Sequence, residues 1–439
     1  MQWHCLGTGA TQLGNEDEVV TGPKPYGISK RMILEAYRRV KANQGAAGVD
    51  GESLAKFDAD LSRNLYKLWN RLSSGSYFPP PVRQVQIPKK QGGVRILGVP
   101  TVADRIAQQV VVGRIGADLY GVFHPDSHGY QLKKSAVDAV AATRQRCWEY
   151  DWVVEFDIRR AFDELDWSLL RKAIAKHVKD AWCLLYIERW LTAPAVSPDG
   201  NLIQRTKGVP QGSVVGPVMM NLFMHYAFDE WMKREHPRNP FSRYADDAIA
   251  HCRSESEAKA LLAAIDVRLK ECRLEMHPEK SGIVYCRDGT RKKSFPKIKF
   301  VFLGYEFRPR RTKTRSGKIW TAFLPAVSEA AKKRIRQKIR EWRIPTQTSV
   351  SLNELAQRYN HHLRGWLAYF SHFTKSATRE ICDYFDQTLM RWARRKYRKL
   401  AGKWQRSECW LKSLKNKQPR LFVHWLSSGT AAVRTTGAV

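Results

Sequence analysis

The sequence predicts an α+β fold, or a split α/β arrangement in which helices separate the strands of a sheet. Two observations favour these arrangements. Short strand-like runs alternate with helical periodicity up to about residue 308, and basic helical periodicity dominates afterwards. With 439 residues, 43% of them hydrophobic, the chain is long enough for two or three domains, each with its own core.

The first 150 residues combine helices with one hairpin. Residues 1–27 lack periodicity, which predicts a flexible N-terminal arm. Helical spacing follows at 28–45 and 54–75, and each stretch ends at a glycine. Residues 79–100 alternate around "QGG" between prolines, as is typical of a hairpin, and 101–120 returns to helical spacing.

The middle of the chain alternates between strands and helices. Residues 151–165 indicate a buried strand that ends in a helix, and further helices follow up to residue 235, interrupted by a turn at "GVPQGS". "FSRYADDAIAHC" predicts a hairpin with two acids at its tip. A helix at 256–274 and late strands at 298–309 complete this part.

The charge of the chain indicates a polyanionic partner. Seventy-five Lys and Arg face 42 Asp and Glu, giving a net charge of +33. Between residues 308 and 420 there are 29 Lys and Arg against 7 Asp and Glu, with aromatic residues between them. Such a surface supplies phosphate contacts and stacking for nucleic acid. The alternative interpretation is a solvated basic helix bundle with aromatic residues in its core.

Two other classes are disfavoured. The eight cysteines form no C-x-x-C pair, which argues against an obvious zinc site and against a disulfide framework. No apolar run approaches the ~20 residues of a membrane span, and no signal peptide opens the chain. We therefore expect a cytoplasmic protein without a membrane partner.

Three aspartates predict a metal site. Asp246 and Asp247 stand side by side within a strand-forming stretch, where their mutual repulsion raises the pKa of one carboxyl unless a cation is bound. Oxygen ligands suit Mg²⁺, and two-metal phosphoryl transfer uses ions ~4 Å apart that share a carboxylate. Asp157, at the end of the strand "VVEF", supplies a third carboxylate. Asp163 and Asp166, on the following helix, are interpreted as surface or capping residues.

Five motifs, "FDIRRAF", "GVPQGS", "RYADD", "HPEKS" and "FLGYEF", occur in this order and resemble the blocks of reverse transcriptases, in particular the group II intron reverse transcriptase and maturase family. "YNHHLRGWLAYF" at 359–370 is similar to the family's maturase helices. The resemblance covers about residues 28–400. It implies a right-hand polymerase fold with fingers, an antiparallel palm sheet and a helical thumb.

The resemblance divides the chain into five parts. They are an arm at 1–27, an N-terminal extension with fingers at 28–150, a palm at 151–308, a thumb or maturase domain at 309–400 and a basic tail at 401–439. Two interpretations of the tail stay open: a reduced DNA-binding region, or a helix and hook packed on the thumb. We expect no counterpart of the family's C-terminal endonuclease, because its paired Cys and His ligands are not found in the tail.

The resemblance also implies site residues. Asp157, Asp246 and Asp247 would be ligands of two Mg²⁺ ions. Phe162 matches the bulky gate against a ribose 2′-hydroxyl, and Gln211 matches the residue beside the incoming dNTP.

Three basic residues complete the site that the resemblance implies. Lys90 and Arg95 match finger residues that bind the triphosphate. Lys280 resembles the lysine proposed to protonate the leaving pyrophosphate. Departures from the family pattern occur at "GYQLKKS", residues 129–135, and "GSVVGP", residues 212–217.

The implied function is an RNA-directed DNA polymerase that also binds group II intron RNA and assists splicing and mobility. Its partners would be an RNA template, a DNA or RNA primer and target DNA, in the bacterial cytoplasm. A second hypothesis is a free-standing group II-like enzyme of DNA repair or phage defence. A third is a splicing cofactor that binds RNA without polymerising. The sequence leaves the oligomeric state open.

Overall fold

The computed structural model describes residues 24–88, 94–313, 317 and 319–428. The chain divides into two compact units, residues 1–139 with 154–283 and residues 140–153 with 284–439. Most of the predicted N-terminal arm and the turn of the "QGG" hairpin, which includes Lys90, lie outside the described residues.

Four helices belong to the first part of unit one. The predicted helix at 54–75 is divided in two, because Asp60 has non-helical angles of φ −130° and ψ 50°. Asn64 Nδ2 donates to the Phe57 carbonyl near this break, at 3.0 Å. The second piece ends before Gly75, whose φ of 80° suits glycine. The helices are α1 Lys30–Asn43, α2 Leu54–Ala59, α3 Leu61–Ser74 and α4 Val102–Asp118.

Two four-stranded sheets are found among the described residues up to 285. The predicted hairpin forms β1 and β2, which pair antiparallel, and β1 also pairs with β4 in parallel. The first sheet has the order β2-β1-β4-β5, and the second has the order β6-β7-β3-β8. The strands are β1 Val82–Pro88, β2 Val94–Val99, β3 Trp152–Phe156, β4 Ala195–Val196, β5 Leu202–Ile203, β6 Phe241–Tyr244, β7 Asp247–Cys252 and β8 Gly282–Tyr285.

Helices between these strands build the core under the second sheet. Phe228 packs with Phe156 of β3 and with Phe241 of β6, at ring-centroid distances of 5.1 and 5.0 Å. Phe228 lies in a π-helical turn, His225–Asp229, that joins α9 to α10. The helices are α5 Ala136–Glu149, α6 Ala161–Glu164, α7 Trp167–His177, α8 Ala181–Thr192, α9 Gly216–Met224, α10 Glu230–Glu235 and α11 Glu255–Glu271.

Unit two contains a three-stranded antiparallel sheet of order β11-β10-β9. The rings of Phe300 and Phe307 stack at 4.6 Å, and Phe323 lies 6.1 Å from Phe300, so one face of the sheet is an aromatic core. The strands are β9 Phe300–Phe302, β10 Tyr305–Lys313 and β11 Ile319–Val327.

Five helices follow in the same unit. Asp386 of α14 accepts hydrogen bonds from Lys415 Nζ at 2.5 Å and Trp425 Nε1 at 2.9 Å, so the C-terminal helices pack on α14. A DNA-binding role for this tail stays a prediction. The helices are α12 Glu329–Glu341, α13 Leu352–Phe370, α14 Arg379–Lys396, α15 Trp404–Lys417 and α16 Val423–Ser428.

The mixture of helices and sheets agrees with the predicted α+β class. Among the residues that the structure describes, no helix combines the length and apolar character needed to cross a membrane.

Candidate active site

The "RYADD" motif forms the tip of the β6–β7 hairpin. Tyr244 pairs with Asp247, so Ala245 and Asp246 are the two turn residues. Ala245 has a φ of 59°, which a two-residue hairpin turn favours although it costs energy in a residue other than glycine. The side chains of both acids are half-buried. The turn therefore presents two carboxylates at the edge of the sheet.

A buried arginine holds this turn. Arg243 Nη1 donates to the Ala245 carbonyl at 2.8 Å and to Asn221 Oδ1 at 3.1 Å. Its Nη2 donates to Ser127 Oγ at 2.9 Å, and its Nε and Nη2 donate to the Asp229 carboxylate at 2.7 and 2.6 Å. All five guanidinium N–H groups therefore have an acceptor, which compensates the burial of the charge.

Asp157 follows the last residue of β3, the strand next to β7. The loop before β8 anchors it. The Asp157 N–H donates to Ser281 Oγ at 3.2 Å, and the His277 N–H donates to the Asp157 carbonyl at 2.8 Å. Lys280 Nζ donates to Asp157 Oδ2 at 2.9 Å, so the lysine of "HPEKS" reaches the carboxylate of "FDIRRAF".

The carboxylates of Asp157 and Asp246 are electrostatic neighbours. Burial raises the pKa of Asp246, and the negative charge of Asp157 raises it further. The positive charges of Arg95 and Arg243 oppose this rise. A cation bound between the two carboxylates would remove their repulsion, and carboxylate oxygens are the ligands that Mg²⁺ prefers.

No group of three or more His, Cys, Asp or Glu side chains within the described ranges is already arranged to hold a metal ion. The carboxylate of Asp157 instead binds the Lys280 ammonium. The assignment of all three aspartates as metal ligands therefore stays a prediction, supported by the proximity of Asp157 and Asp246.

A side-chain hydrogen bond joins the β1–β2 hairpin to the "PQG" loop. Arg95 Nε, on β2, donates to Gln211 Oε1 at 2.8 Å. Gln211 Nε2 in turn donates to Asp163 Oδ2 at 3.4 Å. The two residues predicted to contact the incoming nucleotide are thus in direct contact, although 116 positions separate them.

The backbone of the "PQG" loop approaches β2 closely. The Gly98 N–H donates to the Gln211 carbonyl at 2.8 Å. A Cβ atom on Gly212, whose φ is 113°, would lie 2.6 Å from the Gly98 carbonyl oxygen. A Cβ atom on Gly98 would lie 2.9 Å from the Pro210 Cβ. Glycine at both positions therefore permits the contact that aligns Arg95 with Gln211.

Phe162 lies in α6, the short helix after Asp157, and its side chain is half-buried. Its carbonyl accepts a hydrogen bond from the Val209 N–H at 2.8 Å, which joins this turn to the "PQG" loop. Asp166 caps α7 by accepting from the Leu169 N–H at 2.9 Å, as its predicted capping role requires.

The buried acid Asp104 supports the end of the "PQGS" loop, and the sequence analysis did not predict it. Asp104 of α4 accepts from Tyr77 at 2.9 Å, Trp190 at 2.7 Å and Gln108 at 2.9 Å. Gln108 Oε1 then accepts the Val214 N–H at 2.8 Å. Only its position inside an apolar helical stretch could have indicated Asp104 from the sequence.

Arg243 and Asp229 were missed as well. The available signal was a charged residue inside the apolar strand "FSRY", which is costly unless the charge is paired. Its partner could not be read from sequence spacing, because Asp229 lies in the π-helical turn and not on the paired strand.

Unit two carries its positive charge on helices that bury an apolar stripe. Ile335 and Ile339 of α12 are buried, and most of the basic residues of this helix are exposed, although Lys332 is buried. The same holds for α14, where Trp392 is buried. The exposed basic residues of these helices are Lys333, Arg334, Lys338, Arg340, Arg379, Arg391 and Arg395.

Comparison with known proteins identifies two regions. Residues 87–307 match the model of the reverse transcriptase (RNA-dependent DNA polymerase) family, which covers just over half of the chain. Residues 332–410 match the group II intron, maturase-specific domain.

Individual relatives agree with these matches. The chain is 28% identical to protein YkfC of Escherichia coli over 328 residues, which are 64% of this chain and 81% of that protein. It is 28% identical to the group II intron-encoded protein LtrA of Lactococcus lactis over 214 residues, 48% of this chain and 35% of LtrA. It is also 28% identical to the putative COX1/OXI3 intron 1 protein of Saccharomyces cerevisiae over 202 residues, 46% of this chain and 24% of that protein.

The chain thus spans about a third of the length of LtrA and about a quarter of the length of the yeast intron 1 protein. The carboxylate pair, the Arg95–Gln211 bridge and the "RYADD" hairpin all lie inside residues 87–307. The chain therefore belongs to the reverse transcriptase family of RNA-directed DNA polymerases and carries the maturase-specific domain of group II introns.

Proposed function

We propose that the protein copies RNA into DNA by two-metal nucleotidyl transfer, with Asp157, Asp246 and Asp247 as the metal ligands. The observation that carries this proposal is the position of the acids: Asp157 follows β3, Asp247 begins the neighbouring strand β7, and the charge of Asp157 acts on Asp246. Two neighbouring carboxylates repel each other when both are ionised, and a cation bound between them would favour the ionised pair. The neighbouring carboxylates are therefore suited to bind a divalent metal ion.

The donor set fits two Mg²⁺ ions, because all three candidate ligands are carboxylates. Held by these residues, such ions would lower the pKa of the primer 3′-hydroxyl and neutralise the charge on the triphosphate and the leaving pyrophosphate. We assign to Lys280 the proton given to pyrophosphate as it leaves. Its ion pair with Asp157 supports this role, since the ammonium already lies beside a candidate metal ligand.

The remaining residues bind and select the nucleotide. We assign Arg95 to the triphosphate, because an exposed guanidinium close to Asp246 neutralises charge that develops in the transition state. Gln211 orients Arg95 through their hydrogen bond and faces the incoming nucleotide. Phe162 excludes a ribose 2′-hydroxyl by its size. We assign Lys90 to the triphosphate on resemblance alone.

Primer extension tests the polymerase proposal. The full chain is incubated with a primer annealed to an RNA template, dNTPs and Mg²⁺, and a parallel reaction contains excess chelator. We expect extension that depends on the template, stops with chelator and returns when Mg²⁺ is added in excess. Extension that persists in chelator would contradict the two-metal mechanism.

We also propose that unit two binds structured RNA, with group II intron RNA as its target and splicing as its outcome. The exposed basic residues of α12 and α14 support this, because shape recognition of RNA relies on phosphate contacts. Replacing Lys333, Arg334 and Lys338 together by Gln should weaken RNA binding and reduce the slope of log affinity against log salt concentration by about 2 to 3, because three phosphate contacts are lost. Unchanged affinity and salt dependence would remove α12 from the RNA-binding surface.

The other two hypotheses give different outcomes. A splicing cofactor without polymerase function would accelerate splicing of its intron while extending no primer. A free-standing enzyme would extend primers, and its gene would have no flanking intron ribozyme domains. The genomic sequence around the gene therefore separates this hypothesis from an intron-encoded protein. Binding of target DNA and the bacterial cytoplasmic location stay predictions.

A further inference from the structure

A pair of aromatic rings, one exposed and one half-buried, lies beside the carboxylates. Tyr130 is 55% exposed, and its ring centroid is 5.9 Å from that of Tyr244, with 47° between the ring planes. Tyr244 precedes the turn that presents Asp246. The pair therefore offers an apolar surface with a phenol group at the edge of the proposed reaction centre.

The backbone that carries Tyr130 is fixed to the same hairpin. The His128 N–H donates to the Arg243 carbonyl at 2.8 Å, which joins the loop to β6. Asn221 Nδ2 donates to the Gly129 carbonyl at 2.5 Å. A Cβ atom on Gly129 would lie 2.6 Å from the Ala245 nitrogen, so the loop backbone presses on the turn.

Tyr130 itself adopts a strained conformation. Its φ of 53° is uncommon for an aromatic residue and costs of order 1–3 kcal/mol. Residues in such conformations persist only where the surrounding structure fixes them, and they cluster at active sites and ligand-binding positions. The strain and the anchoring together indicate a position built for contact.

The charged residues of the proposed site act on the Tyr130 hydroxyl. Its surroundings raise the pKa of Tyr130, first through desolvation and then through Tyr244 and the carboxylate of Asp246. The positive charge of Arg95 acts in the opposite direction. The phenol thus lies within the electrostatic reach of both the candidate metal ligand and the candidate triphosphate-binding residue.

We propose that Tyr130 is a specificity-determining residue that packs against the base pair at the primer terminus and donates its hydroxyl to an acceptor on the minor-groove edge. This inference rests on the proposed polymerase function. Nucleobases stack on or pack against aromatic rings without regard to sequence. Watson–Crick pairs present acceptors on their minor-groove edge, and a mismatch displaces them, so one donor checks pairing geometry.

The test compares extension of matched and mismatched primer ends. Wild type, Tyr130→Phe and Tyr130→Ala are assayed on one RNA template with primers that differ only in the terminal base. We expect Tyr130→Ala to lower kcat/KM for the matched end about tenfold and to leave the mismatched end nearly unchanged. Tyr130→Phe keeps the ring and should lose about threefold to fivefold on the matched end alone.

Tyr120 provides the matched control. It is 64% exposed, belongs to the same unit and is not among the groups whose charges act on Asp246. Tyr120→Ala should leave the ratio of matched to mismatched extension unchanged. Thermal unfolding of each variant separates a loss of folding from a loss of selectivity. We expect Tyr130→Phe to fold normally, because it removes only one oxygen from an exposed side chain.

Three outcomes decide the inference. A fall in the matched-to-mismatched ratio for both Tyr130 variants supports it. Equal losses on both ends, or no change, overturn it while leaving the polymerase intact. If wild type extends no matched primer in Mg²⁺, the proposed function fails and this inference fails with it.

Discussion

Arg243 and Asp229, both 0% exposed, form a bidentate ion pair beneath the "RYADD" turn, with Nε to Oδ1 at 2.7 Å and Nη2 to Oδ2 at 2.6 Å. Burial alone would raise the pKa of Asp229, but the Arg243 charge and hydrogen bonds hold it below its usual value. The same guanidinium binds the Ala245 carbonyl. The ion pair therefore connects the stability of the core to the position of the turn.

Arg243→Met should destabilise the protein by about 3–5 kcal/mol, because it leaves the Asp229 carboxylate buried without a partner. Arg171→Met is the control, since the Arg171–Glu188 pair is also bidentate but half-exposed, and its loss should cost under about 1 kcal/mol. Urea unfolding measures both. Equal decreases in the free energy of unfolding of the two variants would show that burial does not increase the cost of breaking the Arg243 pair.

The Arg95–Gln211 bridge predicts coupled kinetics. Arg95→Ala should lower kcat/KM for dNTP by about 10²-fold, because a positive charge facing the triphosphate is lost. Gln211→Ala should lower it less, and the double variant should show a coupling energy of about 1 kcal/mol or more. Gln86→Ala, an exposed position on the same hairpin, is the control. Strictly additive effects would mean that the bridge does not orient the guanidinium during catalysis.

Phe162→Ala should weaken discrimination between dNTP and rNTP by about 10²-fold, because the side chain that blocks the 2′-hydroxyl is removed. Phe162→Tyr keeps the bulk and should retain most of the discrimination. Single-nucleotide incorporation with each nucleotide measures the ratio. Unchanged selectivity in the alanine variant would remove the gate role and leave Phe162 as a packing residue.

Asp104 predicts a pH dependence of stability. Burial raises its pKa to about 6, although hydrogen bonds from Trp190, Tyr77 and Gln108 oppose this. Between about pH 4 and pH 6 the folded protein therefore binds more protons at this carboxyl than the unfolded chain does. Its contribution to the free energy of unfolding falls by about 3 kcal/mol as the pH rises through this window and is constant above it.

Asp104→Asn isolates this effect, because asparagine does not titrate. The variant should be less stable than wild type at pH 4.5. In the wild type Gln108 Nε2 donates to Asp104 Oδ2, and in the variant the asparagine amide nitrogen would face this donor and cannot accept its hydrogen bond. Its disadvantage should shrink as the pH is raised to 6.5. Urea unfolding at several pH values measures the difference, and a disadvantage that grows with pH would contradict the raised pKa.

The sequence located the carboxylates because their signals are local. Asp157 and Asp246 each adjoin a strand of apolar residues, where an acid is unexpected without a partner. The same reasoning predicted the hairpin and its tip. It also predicted an uninterrupted helix at 54–75, which was wrong because the chain leaves helical geometry at Asp60.

The supporting contacts could not be predicted from the sequence. Gln108 and Val214 are 106 positions apart, and Ser127 and Arg243 are 116 apart, so only the fold brings them together. The strained backbone of Tyr130 was equally invisible, because tyrosine gives no sequence signal for a positive φ. Contacts of this kind depend on tertiary packing and not on local pattern.

The most direct test of the central claim replaces Asp246 by Asn and measures primer extension and RNA binding on the same preparation. The variant should lose at least about 10³-fold in extension with Mg²⁺, because the carboxylate that we propose shares a cation with Asp157 is gone. Its affinity for RNA should stay within about twofold of wild type, since the basic helices of unit two are unchanged. Near-normal extension by the variant would contradict metal binding at Asp246 and with it the proposed mechanism.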